Sequence, residues 1–77
     1  MRYPIVIEKG PTNYGADSPD VPGCIAVGDT VEETIREITS AITAHFSIMA
    51  EFGDPIPEPV SLVDYVDVEL TVPVPAT

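Results

Sequence analysis

Few side chains in this 77-residue chain could carry chemistry: one cysteine, one histidine, and thirteen Asp or Glu. Cys24 closes the stretch SPDVPGC, residues 18–24. A thiol becomes a nucleophile only beside a base or in a positive field. The sole histidine, His45, falls halfway down an amphipathic stretch, and Arg2, Lys9 and Arg36 are the only Lys or Arg side chains. Cys24 also opens the apolar run CIAV, residues 24–27, where a small buried side chain fits. It reads as structural. His45 could hold a metal only together with carboxylates, and no HxxE or HxxxH spacing surrounds it. It reads as a helix-edge residue with a satisfied ring nitrogen.

The carboxylates are the stronger candidates. Asp17, Asp20 and Asp29 gather before the helix start, and Asp64, Asp67 and Glu69 lie along a late strand-like segment. Acidic residues converging on a sheet are what a metal-dependent nuclease needs. Against that stands a net charge of −10, which repels nucleic-acid phosphate. No glycine-rich phosphate loop and no GxSxG elbow is present. The sequence thus favours a binding protein with no catalytic residue, metal or cofactor. Its charge suits a basic partner and no direct contact with nucleic acid.

The elements that must position these groups follow from local pattern. YPIVIE, residues 3–8, is a β-branched run ended by the turn-rich KGPTN. Strands are expected at 14–18 and 24–28, joined by a rigid turn shaped by Pro19, Pro22 and Gly23. Thr30 and Glu33 have capping-box spacing, with Asp29, Glu32 and Glu33 where a helix dipole favours negative charge. Val31, Ile35, Ile38, Ile42, Phe46, Met49 and Phe52 then recur every three or four residues, predicting a helix over 31–52 ended by Gly53. After the proline-stiffened DPIPEP, Val66, Val68, Leu70 and Val72 alternate with Asp67, Glu69 and Thr71, predicting a strand over 62–72 that Pro73 stops. The order βββαβ, with a right-handed crossover, gives an α+β fold in which one long helix packs on a four-stranded sheet of order 3-2-1-4.

The whole chain, 1–77, reads as one domain with a marginal core, burying only about 60–65% of its unfolded surface. One cysteine forms no intrachain disulfide, which points to a reducing, cytoplasmic setting. No stretch approaches the ~20 apolar residues of a membrane span, and no signal-peptide pattern opens the chain. The predicted helix would run about 33 Å, longer than strands of five to seven residues at roughly 17–23 Å. Its overhanging end, with Ala44, Phe46, Ile48, Met49 and Phe52, together with an outer face of small uncharged residues, predicts a homodimer or higher homo-oligomer.

The segments MRYPIVIEK, YGADSPDVPGCIAVGDTVEETI, HF and GDPIPEP, in that order over residues 1 to about 68, resemble the HicB antitoxin family. The resemblance implies a partial RNase H-like fold. It also implies an antitoxin that blocks a HicA-type toxin, a small basic ribonuclease that cuts mRNA with a histidine. Family members carry a C-terminal DNA-binding domain, for which a chain ending at Thr77 leaves no room, so a short stand-alone form is expected. Charge and expected exposure nominate Asp17, Asp20 and Asp29, with Tyr14 as an aromatic anchor, as toxin contacts. The alternative is an orphan, self-associating HicB-like domain without a toxin.

Overall fold

The computed structural model describes residues 1–72, with elements in the order β1 (Val6–Lys9), β2 (Tyr14–Ser18), β3 (Val21–Gly28) and α1 (Val31–Glu51). The strands form one antiparallel sheet of order β1-β2-β3, and α1 lies across one face, chiefly over β3 and β2. The chain is therefore α+β. Sheet pairing begins at Val6 rather than Tyr3, because Val6 faces Asp17, one residue before β2 ends at the Pro19 turn. At the other end of the hairpin, Gly10 N–H donates to the Asn13 carbonyl at 2.7 Å.

β3 starts three residues earlier than the sequence suggests. The register jumps from Asp17↔Ile25 to Ser18↔Val21, so Pro22, Gly23 and Cys24 form an irregularity in β3. Pro22 thus lies inside a strand and not in the connecting turn. It is tolerated there because β3 is an edge strand, where a missing N–H breaks no ladder on the open side. Gly23 supplies the left-handed backbone the bulge requires, at φ +87°.

The helix is framed by local chemistry at both ends. Thr30 Oγ1 accepts from Glu33 N–H at 3.0 Å, while the Glu33 carboxylate accepts from Asp29 N–H at 3.4 Å, one residue before the reciprocal capping-box partner. At the C-terminus, Gly53 N–H donates to the Ala50 carbonyl and Asp54 N–H to the Met49 carbonyl, with Gly53 at φ +74°. This Schellman pairing satisfies the last carbonyls and turns the chain away, leaving Phe52 as the cap and not a helical residue.

The core is small: Ala16, Val21, Cys24 and Ile38, flanked by half-buried Tyr3, Ile5, Ile7, Ala26, Ile42 and Phe46. Thr34 is fully buried, its hydroxyl donating to the Thr30 carbonyl at 2.7 Å. Gly28 makes this closeness possible, since a Cβ there would sit 2.6 Å from Thr34 Oγ1 and 2.8 Å from Thr34 N.

The strand expected over 62–72 is not part of this sheet. Among the described residues the sheet has three strands, and no strand forms after α1. Leu62, Tyr65, Val66, Val68, Leu70 and Val72 are all exposed. Pro73, expected to end that strand, lies outside the described residues. The radius of gyration is 16.1 Å, against about 11–12 Å for a compact chain of this length. Periodicity identified a strand-competent segment, but pairing requires a partner edge that local pattern cannot name.

Candidate partner-binding surface

α1 covers one face of the sheet and leaves the other open. Strand alternation sends Ala16 and Ser18 of β2 inward and Asp17 outward. Asp17 lies between Val6 of β1 and Ile25 of β3, and one pair along, Gly15 lies between Glu8 and Val27. On this outer face Ile25 is 75% exposed and Val27 62%. With no side chain at Gly15, the middle of the face sinks into an open depression of about 380 Å³ whose rim includes Glu8 and Asp17. Lys9 lines it too, but exposed Ile25 and Val27 together with the carboxylates of Asp17 and Glu8 suit a protein surface carrying both apolar and basic groups.

The four residues expected to contact a toxin do not form one patch. Asp17 is exposed on the outer face. Tyr14 is half-buried and shares the inward parity of Ala16 and Ser18, so it lies on the opposite side of the sheet from Asp17. It pairs with Gly28, next to the exposed Asp29 at the start of α1.

Asp20 is the clearest departure from expectation: it is buried, not displayed. Its Oδ2 accepts from the Val60 and Ser61 amides at 3.1 and 3.0 Å, and its Oδ1 accepts from the Ser61 hydroxyl at 2.7 Å. These bonds from Ser61 and Val60 hold its carboxyl below the ordinary aspartate value, against a partial opposing effect of burial. Asp20 thus fastens the segment after the helix to the β2–β3 turn. Beside it, Tyr3 Oη donates to the Pro57 carbonyl at 2.6 Å. Burial pushes the Tyr3 phenol above its ordinary value, with Glu58 and then Asp20 adding to the effect.

The residues expected at an oligomer interface also divide. Phe46 is half-buried and meets Tyr3 edge-on, with ring centroids 5.2 Å apart, so it belongs to the monomer's own packing. Met49 is half-buried, while Ala44, Ile48 and Phe52 are exposed. Along α1, the exposed Thr39, Thr43 and Ser47 each donate their hydroxyl to the carbonyl four residues back. Their hydrogen atoms are thereby used within the helix. Cys24 is a buried free thiol within the core. Among the described residues no three His, Cys, Asp or Glu side chains come together as a metal site, and no helix is long and apolar enough to cross a membrane.

Ile25 and Val27 are surface residues that were not expected from the sequence. The signal was there: CIAV is apolar at every position, so in a sheet covered on one face half of its side chains must face out.

Comparison with known proteins agrees with this architecture. A 14.9 kDa protein of Haemophilus phage HP1, from its rep-hol intergenic region, is 37% identical over 67 residues, covering 87% of this chain and 50% of its own. Antitoxin HicB 1 of Photorhabdus laumondii is 37% identical over 75 residues, covering 94% and 48%. The UPF0150 protein ssr1765 of Synechocystis is 34% identical over 58 residues, covering 74% and 73%. The chain spans about half the length of the first two. A chain of the solved HicA3 and HicB3 toxin-antitoxin complex matches with a TM-score of 0.66 at 29% identity, over 77% of this chain and 69% of that one. The model of the HicB-like antitoxins of bacterial toxin-antitoxin systems matches residues 3–70, nearly all of the described fold, and the chain belongs to that family.

Proposed function

We propose that this chain is the toxin-binding domain of a HicB-type antitoxin, which neutralises a basic HicA-type ribonuclease by covering its surface and performs no catalysis itself. The observation that carries this reading is the open outer face of the sheet, where exposed Ile25 and Val27 on β3 lie beside Asp17 of the central strand, with Glu8 across the sheet on β1. Membership of the antitoxin family and likeness to a chain from a toxin-antitoxin complex support it. The net charge of −10 steers such a face towards a basic partner. Asp17 is the central acidic contact, and Asp29 and Tyr14, beyond the Gly28 end of the sheet, form a second and smaller one. Asp20 contributes by holding the fold. The setting is the cytoplasm, where Cys24 stays reduced. Co-purification tests the reading: Ile25→Lys combined with Asp17→Lys, both at exposed positions, abolishes capture of a HicA-type toxin while the fold survives. Undiminished capture overturns the assignment of this face.

Self-association is a second reading, complementary to the first. Ile48 and Phe52 are 55% and 75% exposed at the end of α1. A homodimer would cover them.

A further inference from the structure

Among the described residues two parts lack partners, and each has what the other needs. The first is the edge of β1, which no strand covers among the described residues. Beside it runs an open apolar groove of about 450 Å³ between the start of the chain and α1, lined by Tyr3, Ile5, Ile35, Ile42 and Phe46 and floored by Ile38. A fourth strand next to β1 would lie along this groove. The second part is the segment 62–72, in which Val66, Val68, Leu70 and Val72 alternate with Asp67, Glu69 and Thr71. Those four apolar side chains are 84%, 75%, 70% and 69% exposed. An unpaired strand edge and an unpaired amphipathic strand are each a liability in water.

The segment does not reach the groove of its own subunit. Asp20 holds Ser61 at the β2–β3 turn, Tyr3 holds Pro57, and Pro55, Pro57 and Pro59 stiffen the path between α1 and that point. Ser61 to Asp64 then pass beside Arg2, Tyr3 and Pro4, and the chain continues into solvent. A stiff hinge with a fixed exit favours exchange between copies over folding back. Charge agrees with this. Arg2 lines the groove and Lys9 ends β1, two of the chain's three Lys or Arg residues, while the segment carries Asp64, Asp67 and Glu69.

We infer that residues 62–72 of each chain add as a fourth strand to the β1 edge of a second copy, giving a two-fold symmetric, strand-exchanged dimer. Val66, Val68, Leu70 and Val72 fill the partner's groove, and Asp67 and Glu69 join Glu8 and Asp17 on the outer face. The sheet order 3-2-1-4 is then completed in trans. This inference stands apart from the choice of toxin, and it is tested on the 77-residue chain alone.

The experiment mixes two isotopically distinct preparations at micromolar concentration and records isotope-filtered contacts alongside the sedimenting mass. The expected result is a mass of two chains, with contacts between residues 5–9 and 64–72 only across the two labels. Val68→Pro places a ring where the added strand needs an N–H and should weaken the dimer by about tenfold or more. It leaves the helical circular dichroism unchanged, because Val68 is 75% exposed and lies outside the sheet and α1 of its own subunit. A mass of one chain overturns the inference. So do the same contacts within one label, or a dimer without them that is indifferent to Val68→Pro.

Discussion

Ile38→Ala probes the point on which the whole domain depends. Ile38 is 1% exposed and is the largest of the four buried apolar residues, where it joins Ala16, Val21 and Cys24. Through it α1 is held on β2 and β3. Truncating a buried isoleucine to alanine costs about 2–5 kcal/mol, the lost transfer free energy plus the cavity left behind. A chain of this length has about 4–12 kcal/mol of stability in total, at the usual value per residue. The substitution therefore removes between a sixth and all of it. For a domain of this size each kcal/mol moves Tm by about 4–8 °C, so a drop of at least about 8 °C is expected. The assay is urea and thermal unfolding followed by circular dichroism, with Ile48→Ala as the surface control. Ile48 is 55% exposed, and its truncation should stay within about 0.5 kcal/mol in the monomer. A loss below about 1 kcal/mol at Ile38, or equal losses at both positions, would refute this account of the core.

Two further perturbations test the joints around the core. Gly28→Ala drives a methyl group to 2.8 Å from the backbone nitrogen of Thr34, which cannot move without shifting the start of α1. A loss of about 1–3 kcal/mol is expected in the same unfolding assay, and an unchanged Tm would contradict the close approach. Asp20 gives a pH dependence. Its folded value lies below the ordinary 3.8, so its contribution is fully present above that ordinary value and is lost as pH falls through the lowered one. Asp20→Asn should flatten the acid limb of the stability profile and loosen residues 60–61, read as faster amide exchange there. An acid limb unchanged in slope would exclude Asp20 as the clamp.

The parts of the fold that were legible in the sequence are those determined within a few residues. The capping threonine, Thr30, and the Gly53 stop both depend on bonds to neighbours three to five residues away, and the helix came out one residue from expectation. β2 matched at both ends. The misses involve partners distant in sequence or facing away. Asp20 looked like a displayed charge because its partner, Ser61, lies 41 residues further on. Tyr14 and Asp17 looked adjacent but differ in strand parity, which puts them on opposite faces. The 62–72 segment had the right alternation for a strand, yet among the described residues it joins no edge of the sheet, and alternation alone does not name a partner.

Inhibition of a purified HicA-type toxin tests the central claim most directly. RNA cleavage by a fixed amount of toxin is measured as the chain is added, at low and at high salt. The account predicts that cleavage stops near one antitoxin domain per toxin at low salt. It also predicts that the apparent Kd weakens as salt screens Asp17 and Glu8, and that Asp17→Lys with Ile25→Lys leaves the toxin active. Cleavage that continues in excess chain at low salt, or inhibition equally strong with the doubly substituted outer face, would contradict it.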